Sequence, residues 1–337
     1  MVSNSSSAAL APDAAGLSAV VTGGSRGLGL LLGRELAARG ATVTLLARDG
    51  DELTAAADTL RETGGGSVRT AVCDLRDRAA TRKAVDEAAE AAGGLDVVIA
   101  NAGIIQVAPA SALGPAGFDE AMRSIFETTV NTAFAALPHL RASRAGGRLA
   151  LIGSVGGLMG TPHLLPYSCA KSAVGALAEG LRAEESAHGV SVTAVHPGLM
   201  RTGSHLHARF GGDAPREFAW FSAVAGVPVV SMDAERAASR IVSGVLRRRA
   251  RLLLTPATRV VSVAHGLAPA TTNRLVSLFA RALPADVPDG DGSTREGADL
   301  ADAQPPGLGA AARRMLGALN ERAASRFNER AARHPGA

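Results

Sequence analysis

Three residues that could move a proton stand at a regular spacing near the middle of the chain. Ser154 lies thirteen residues before Tyr167, and Lys171 lies four residues after it. Residues four apart share one face of a helix, so the phenol and the ammonium group are predicted to point the same way. A nearby cation favours the phenolate and lowers the pKa of a tyrosine from its ordinary value of about 10. A tyrosine tuned in this way can act as an acid or base near neutral pH.

The composition and the position of the serine support a chemical interpretation of this spacing. Tyr167 is the only tyrosine of the chain, and Lys171 is one of only two lysines. Taken alone, a Tyr-x-x-x-Lys pair is short and is usually an incidental feature of a surface helix. Ser154, however, follows an apolar run at 149–152 that predicts a buried strand, so its hydroxyl is expected at the C-terminal edge of that strand.

A second candidate site is the glycine-rich stretch that follows a predicted strand at 17–21. Thr22 and Gly23 are followed by Gly27 and Gly29, and an apolar helix pattern runs on from there. Glycines let the backbone turn tightly and approach a pyrophosphate, while the start of a helix offers free N–H groups. The spacing differs from the dinucleotide fingerprint G-x-G-x-x-G, so an ordinary strand-to-helix turn is the alternative.

The end of the second predicted strand, at 41–47, carries the residue expected to distinguish two cofactors. Arg48 stands where an acidic residue would accept the ribose 2′-hydroxyl of NAD, whereas arginine pairs with the 2′-phosphate of NADP. Arg26, inside the glycine turn, adds a second positive charge, and Asp49 weakens the argument slightly. We therefore expect NADP(H) rather than NAD, with an ordinary loop arginine as the alternative.

Strands and helices alternate along most of the chain. Further strands are predicted at 67–73, 95–100, 149–152, 190–195 and 251–254, and further helices at 51–63, 76–92, 118–144 (after a loop with Pro109 and Pro115) and 233–246. This order predicts an α/β fold, a doubly wound, Rossmann-like parallel sheet of about seven strands with helices on both faces. A helical C-terminal extension follows it.

Two polar residues in this framework have competing explanations. Asp74 ends the third strand, where its carboxylate could accept from an adenine amino group or cap the next helix. Asn131 lies inside the long predicted helix, although asparagine is a mediocre helix former. Either Asn131 has a functional role, or its amide bonds within the packing of the helix on the sheet.

The segment at 203–232 has no clean periodicity but is rich in aromatic residues. It holds Phe210, Phe218, Trp220 and Phe221, and it follows the sixth strand. Ligands bind above the C-terminal edge of open α/β sheets, so this segment is expected to form an apolar lid over a substrate. The alternative is a satellite hydrophobic cluster under a long loop.

The two ends of the chain lie outside the alternating pattern. Residues 1–16 are expected to be a disordered lead, and residues 17–255 are assigned to the Rossmann-like domain. An amphipathic helical extension is predicted at 256–283, interrupted near Pro269; from residue 258 on it would cover the substrate cleft or lie on a membrane surface. Residues 284–337 are expected to be a linker, up to about residue 307, followed by an Arg-rich tail helix at 310–333.

The composition limits the classes of function. The net charge of +4 is modest for 337 residues, and no basic stripe interleaves with aromatic residues, so nucleic-acid binding is not expected. Cys73 and Cys169 lack metal-ligand spacing, so no metal is expected, and reduced thiols fit a cytoplasmic protein. No secretion signal or uninterrupted apolar span is recognised, and membrane association is the less favoured interpretation.

Taken in order, these residues resemble the short-chain dehydrogenase/reductase family over about residues 17–255. The resemblance rests on T-G-x-x-x-G-x-G at 22–29, Asp74, N-A-G at 101–103, Asn131, Ser154, Y-x-x-x-K at 167–171, and P-G at 197–198 followed by Thr202. The set at these spacings is highly specific. Ala100 departs from the family, which often has an asparagine before N-A-G, and a small effect is expected.

The resemblance implies reversible hydride transfer between NADP(H) and a carbonyl or alcohol. Tyr167 would donate its proton to the carbonyl oxygen, and Ser154 would hydrogen-bond the same oxygen. Lys171 would bind the nicotinamide ribose and lower the pKa of Tyr167, and Asn131 would hold a water that links Lys171 to bulk solvent. The expected cofactor-binding residues are Thr22, Gly23, Ser25, Arg26, Gly27, Leu28, Gly29, Arg48, Asp74, Leu75, Asn101, Ala102, Gly103, Tyr167, Lys171, Pro197, Gly198 and Thr202.

The expected activity is that of a ketoreductase or alcohol dehydrogenase acting on a fairly large apolar substrate. By the resemblance, the protein would be a homodimer or homotetramer built through the helices of Asn131 and Tyr167. Two alternatives stay open: a non-oxidative isomerase or dehydratase of the same fold, and a nucleotide-binding regulatory or scaffold protein. The second is disfavoured because a sensor need not keep both Tyr167 and Lys171.

Overall fold

A seven-stranded parallel sheet forms the centre of the computed structural model, which describes residues 13–62, 66–227, 231–285, 292–302, 320 and 322–329. The strands are β1 (Ser18–Thr22), β2 (Thr42–Ala47), β3 (Val68–Val72), β4 (Val97–Ala100), β5 (Arg148–Ile152), β6 (Ser191–His196) and β7 (Arg251–Leu253). Their order across the sheet is β3-β2-β1-β4-β5-β6-β7. The predicted doubly wound, Rossmann-like class is confirmed.

Helices cover both faces of this sheet. The helices of the described residues are α1 (Gly27–Ala38), α2 (Gly50–Glu62), α3 (Arg78–Ala92), α4 (Ala110–Ala121), α5 (Thr128–Ala142), α6 (Leu165–Glu185), α7 (Ala214–Gly226), α8 (Ala234–Leu246), α9 (Pro256–Leu267), α10 (Pro269–Ala280) and α11 (Gly297–Asp302). Apolar side chains of α1, α2 and α8 pack on one face, and those of α3, α5 and α6 pack on the other. Because the central strands are covered on both sides, they are continuous apolar runs rather than alternating ones.

The strand order reverses at β1, which pairs with β2 on one side and β4 on the other. Ligands of open α/β sheets bind in the crevice beside such a reversal, outside the carboxyl ends of the strands. Thr22 ends β1, Asn101 follows β4, Ser154 lies just beyond β5, and Pro197 follows β6. Parallel pairing therefore brings the candidate residues, which are distant in sequence, to one edge of the sheet.

The helix predicted at 118–144 begins earlier and is divided. α4 starts directly after Pro109, and its backbone bends at Gly114, which has φ 57° and ψ −168°. Pro115 then begins the second part of α4, where a missing N–H is tolerated. A wide π-helical turn, Met122–Glu127, joins α4 to α5. The prediction of a loop around both prolines is wrong, since each stands at the start of a helical segment.

Two predictions about the ends of the chain need correction where the structure describes them. In the expected lead, Ala14 is buried and its N–H bonds to the Arg39 carbonyl at 3.0 Å, because it packs on the start of the sheet; residues 1–12 lie outside the described residues. In the expected linker, Arg295–Glu296 pairs with the short strand Arg209–Phe210, and Leu300 of α11 is buried. One apolar side chain thus fixes a stretch whose composition predicts a linker.

The helical extension consists of α9 and α10, which break at Ala268 as the nearby proline predicts. Neither helix is strongly buried, and most of the exposed large apolar side chains of the described residues lie there: Val260, Val263, Leu267, Leu275, Leu278 and Phe279. None of the described helices combines the length and apolar character needed to cross a bilayer. Of the tail helix predicted at 310–333, residues 322–326 are helical, and most of the remainder lies outside the described residues.

Candidate active site

Tyr167 and Lys171 lie one turn apart near the start of α6, where the spacing places them. The Lys171 Nζ atom lies 5.8 Å from the centroid of the Tyr167 ring and donates a hydrogen bond of 2.7 Å to the Ile152 carbonyl. The Ser154 side chain lies close enough to the Tyr167 hydroxyl to favour its ionised form. The end of β5 and the start of α6 therefore hold the serine, tyrosine and lysine side chains together.

The electrostatics of this group differ from the prediction. Burial raises the pKa of Tyr167, and the nearby Ser154 side chain only opposes that shift. Burial also lowers the pKa of Lys171 to about 8, because a desolvated ammonium is disfavoured. The prediction that Lys171 makes the phenol more acidic is therefore wrong for these residues by themselves. Desolvation acts on both groups, and the lysine charge is directed toward the Ile152 carbonyl.

The serine is held by groups that its spacing alone does not reveal. Its Oγ accepts a hydrogen bond from the Gly156 N–H at 3.1 Å, and its carbonyl contacts Nδ1 of His196 at 3.3 Å. Burial lowers the pKa of His196, so its ring is neutral at ordinary pH. His196 lies at the end of β6, immediately before Pro197, and it joins the two strand ends that flank the crevice. A histidine at the end of an apolar strand pattern is the sequence signal that could have identified it.

Asn131 is not brought to this group. Its Nδ2 donates to the Leu75 carbonyl at 2.9 Å, and its Oδ1 accepts from Nε of Arg78 at 3.3 Å. The amide therefore joins α5 to the segment between β3 and α3, which is the packing role weighed as the alternative. Ser124 and Thr128, from the π-helical turn and the first residue of α5, line the crevice on this side instead. The water relay through Asn131 stays a prediction, and these bonds show that its side chain also has a packing role.

Thr22 braces the glycine turn instead of lining the crevice. Its Oγ1 accepts hydrogen bonds from the N–H groups of Asn101 at 3.0 Å and Ala102 at 3.3 Å. The Asn101 side chain in turn donates to the carbonyls of Thr22 at 3.2 Å and Gly23 at 3.3 Å. A Cβ atom at Gly29 would overlap the Gly23 carbonyl, so this position requires glycine. The N-A-G stretch and the glycine turn are thus one hydrogen-bonded unit.

The end of the crevice beyond β2 and β3 carries Arg48 and Asp74. Arg48 is exposed and lines the crevice. Asp74 accepts a hydrogen bond of 2.6 Å from the Arg76 guanidinium, which holds the pKa of that carboxyl below its usual range. Asp77, not Asp74, caps α3 by accepting from two backbone N–H groups. The capping alternative for Asp74 is therefore excluded.

The positive charge of Arg26, expected to face the cofactor, forms an ion pair within the protein. Its guanidinium pairs with the Glu52 carboxylate at 2.6 Å, and Ser25 Oγ donates to the same carboxylate at 2.8 Å. Glu52 stands in the first turn of α2, where a carboxylate is favoured by the helix dipole. The sequence offers no spacing rule that links Arg26 to Glu52.

One continuous cavity of about 1640 Å³ connects these groups. It runs from Arg48 along the glycine turn to Tyr167, and it is lined by every expected cofactor-binding residue except Thr22. Pockets for a single small ligand are typically about 300–1,000 Å³, so this cavity has room for a dinucleotide and a substrate together. The glycine turn and the N-terminus of α1 fit a pyrophosphate, and the arginine at one end fits the ribose beyond it.

The aromatic segment contributes both to the cavity and to a separate core. Trp220 and Phe221 line the cavity from α7. Phe210 and Phe218 are buried beside them, with ring centroids 5.3 Å apart, in a cluster that also includes Leu300. Helix α7 thus contributes both to the cavity wall and to the satellite cluster, which the sequence presents as alternatives.

A buried carboxylate anchors α7 to the loop before Tyr167, and the sequence analysis does not predict it. Glu217 is 0% exposed. Its two oxygens accept from Trp220 Nε1 at 2.6 Å and contact His163 Nδ1 at 2.7 Å. His163 adopts a left-handed backbone with φ 60°, which is uncommon for a non-glycine residue. This pair links the apolar wall of the cavity to the loop between Ser154 and Tyr167.

The chain is similar to known proteins over the part that forms this site. Residues 18–209 match the family model described as short chain dehydrogenase. Over 193 residues the chain is 35% identical to a putative ketoacyl reductase 1 of the granaticin polyketide synthase from Streptomyces violaceoruber, covering 55% of this chain and 68% of that protein. It is 33% identical over 190 residues to gluconate 5-dehydrogenase from Gluconobacter oxydans, covering 56% of this chain and 72% of the relative.

Solved structures share the fold. A short chain dehydrogenase from Mycobacterium paratuberculosis, bound to NAD, superposes with a TM-score of 0.63 at 25% identity, over 72% of this chain and 97% of the other. The family model spans more than half of the chain and ends before the helical extension. From this match and the agreement of fold and relatives, the chain belongs to the short-chain dehydrogenase/reductase family, whose members bind a nicotinamide cofactor.

Proposed function

We propose that this protein is an NADP(H)-dependent ketoreductase or alcohol dehydrogenase that acts on a fairly large apolar substrate. The observation that carries the proposal is that Ser154, Tyr167 and Lys171 line the same cavity as the glycine turn. A bound nicotinamide supplies or accepts the hydride. The residues of the chain orient the substrate and move the proton.

The proton comes from Tyr167 in the reductive direction. A pKa raised by burial keeps the phenol protonated at neutral pH, which suits a general acid. Tyr167 then donates its proton to the carbonyl oxygen of the substrate, and the Ser154 hydroxyl donates a hydrogen bond to the same oxygen. When the phenolate forms, the neighbouring Lys171 ammonium stabilises it by its opposite charge. Before proton transfer, burial sets the pKa of Tyr167. After it, the Lys171 charge stabilises the phenolate.

The preference for NADP(H) rests on Arg48. It is exposed at the adenosine end of the cavity, and no acidic residue replaces it at the end of β2. The paired Arg26 adds little, because Glu52 neutralises it. Glu52 is also the specific observation in favour of NAD, since a carboxylate near that end can accept a ribose hydroxyl. Comparing kcat/KM for NADPH and NADH on one substrate decides between the two.

The walls of the cavity support the proposal of a fairly large apolar substrate. Trp220, Phe221, Val224 and the half-exposed Phe279 of α10 give one side an apolar surface. Phe279→Asp should therefore raise KM for a bulky ketone much more than KM for a small polar one. Equal effects on both substrates would remove the cleft-covering interpretation of the extension and leave its exposed apolar face for the membrane-surface interpretation.

The assembly proposed is a homodimer or homotetramer through α5 and α6. Phe134 on α5 is 55% exposed, an unusual position for a large aromatic side chain. Phe134→Glu should shift the mass measured by light scattering toward the monomer. An unchanged mass, or a monomeric wild type, contradicts this assembly.

The activity is tested by Tyr167→Phe in a screen of carbonyl compounds with NADPH. The variant should lose about 100-fold or more of its turnover because the proton donor is gone, yet it should bind NADPH as the wild type does. Product formation without net cofactor consumption would favour the isomerase or dehydratase alternative. A wild type that binds cofactor but turns over no carbonyl or alcohol would favour the regulatory alternative.

A further inference from the structure

The C-terminal segment, residues 320 and 322–329, lies on the glycine turn. The Gly27 N–H, at the start of α1, donates a hydrogen bond of 2.9 Å to the Phe327 carbonyl. Asn328 Nδ2 donates to the carbonyls of Ser25 at 2.9 Å and Glu52 at 3.2 Å. An N–H that would otherwise be free for a phosphate oxygen is therefore bonded to the protein's own chain.

Glu329 places a carboxyl group at the same point. A Cβ atom at Gly27 would collide with its Oε1, so the carboxyl lies directly against the turn. The residue is 5% exposed, and its Oε2 has no hydrogen-bond partner among the described residues. The nearest cation is Arg26, with Nε at 3.6 Å, and the His207 ring, which burial keeps neutral, has its Nε2 atom at 3.5 Å. Burying a carboxyl oxygen without a hydrogen-bond partner is unfavourable, so other contacts of the segment must hold Glu329 against the turn.

Apolar contacts hold the segment in place. Phe327 is 3% exposed and packs with Ala323 into the core that includes α1. Ala324 sits so close to Gly203 that a Cβ atom there would overlap it, and Asn320 Oδ1 accepts from the Gly203 N–H at 2.9 Å. Buried apolar contacts and a hydrogen bond therefore hold the segment on this surface.

We propose that the diphosphate-binding turn is also the docking site of the protein's own C-terminal segment, and that the segment and the cofactor exclude each other there. The inference rests on the proposed nicotinamide cofactor. The exclusion is steric and competitive: the Phe327 carbonyl and the Glu329 carboxyl take the N–H group and the space that a phosphate needs. The apparent Kd for the cofactor then exceeds the intrinsic value by the inverse of the fraction of molecules with a free turn.

Two variants of the full-length chain move cofactor binding in opposite directions. Phe327→Ala removes the apolar anchor, and the apparent Kd for NADPH should fall by about tenfold. Glu329→Gln keeps the shape but needs no proton to enter the buried position, so the segment docks more firmly and the apparent Kd should rise. Arg322→Ala, at an exposed position of the same segment, is the matched control and should leave the Kd unchanged.

Binding is measured by NADPH fluorescence without substrate, so the result does not depend on turnover. As a second measurement, saturating NADPH should accelerate tryptic cleavage at Arg322 and Arg326 of the wild type, because docked segments are protected. Weaker NADPH binding in Phe327→Ala, or protection of the segment by NADPH, would overturn the inference by showing that the segment completes the cofactor site. Equal Kd values in all proteins would overturn it as well. If none of them binds NADPH or NADH, the proposed function itself fails, which is a distinguishable result.

Discussion

The two ends of the cavity are built in different ways. At the Tyr167 end, the serine, tyrosine and lysine come from adjacent elements, β5 and α6, and their positions follow from spacing along the chain. At the glycine-turn end, Arg26 is paired with Glu52 of α2, and the turn is contacted by Phe327 and Glu329 from the far C-terminus. One end is local in sequence, and the other is assembled from distant parts.

This difference predicts where each end is sensitive. The proton-transfer end depends on a few buried side chains, so single substitutions there should change the rate and leave binding nearly intact. The glycine-turn end depends on competing charges and a displaceable segment, so substitutions there should change affinity and pH dependence. Affinity effects from substitutions at the Tyr167 end, or rate effects from substitutions at the glycine-turn end, would contradict this difference.

Lys171→Met should have the largest effect. It keeps the length of the buried side chain but removes the ammonium that stabilises the phenolate, so kcat should fall by about 100-fold or more. Lys83→Met is the matched control, because Lys83 is a surface residue of α3 whose side chain is 76% exposed. Comparable losses in both variants would contradict a specific role for Lys171. Since Tyr167 is the only tyrosine, the ultraviolet absorbance of the phenolate reports its pKa directly, and we expect it above the ordinary value in the protein alone.

The features that could be predicted from the sequence follow the same division between local and distant contacts. The parallel sheet, the strand ends and the pair on α6 could be predicted because apolar periodicity and four-residue spacing are local properties. The direction of the Tyr167 pKa could not, since it depends on how much water the surrounding fold excludes. Asn131 matched the family pattern in order, yet only the packing of α5 against the segment after β3 reveals where its amide points.

The unpredicted residues share one property: their partners are far away in the sequence. Glu217 meets His163 across more than fifty positions, and Glu329 meets Gly27 across about three hundred. No pattern within a window can indicate such a pair, and the composition of the region after residue 284 points to a linker and tail instead. The described parts of that region are ordered because Leu300 and Phe327 find apolar partners in the folded domain.

Arg48→Ala should have the next largest effect, and we expect it on the affinity for NADPH rather than on the rate. Loss of a charge-assisted hydrogen bond to a phosphate should raise KM for NADPH by about tenfold or more, while KM for NADH changes little. Arg76→Ala is the control, because Arg76 lies nearby but is bonded to Asp74. A change in kcat without a change in KM, or an equal change for both cofactors, would contradict the NADP(H) preference.

The pH dependence of cofactor binding should be smaller. Burial raises the pKa of Glu329 to about 8, above its ordinary value of 4.5 in a released segment. The docked segment therefore holds a proton that the released one lacks, so docking is strongest at low pH and is lost as the pH rises toward about 8. Arg26 opposes this shift, Glu52 adds to it, and burial keeps the nearby His207 ring neutral by lowering its pKa.

Cofactor binding should tighten as the segment is released. The apparent Kd for NADPH is expected to fall by roughly tenfold or less between about pH 6.5 and 8. Titrations across this range, in wild type and Glu329→Gln, measure the slope. The variant should be nearly flat, because its amide does not titrate, and an equal slope in both would assign the effect to another group.

Asn131→Ala should have the smallest effect on turnover and therefore gives the finest test of the comparison. Its amide donates to the buried Leu75 carbonyl and accepts from the exposed Arg78, so its loss removes two hydrogen bonds between α5 and the segment that leads into α3, although Thr81 still donates to that carbonyl. The free energy of unfolding, measured in denaturant, should fall by about 1–3 kcal/mol. Turnover should stay within about twofold of the wild type, because the amide lies outside the cavity that holds Tyr167 and Lys171. A large loss of kcat with unchanged stability would instead place Asn131 in a proton relay, and it would show that the proton-transfer end also depends on a group reached from outside its own two elements.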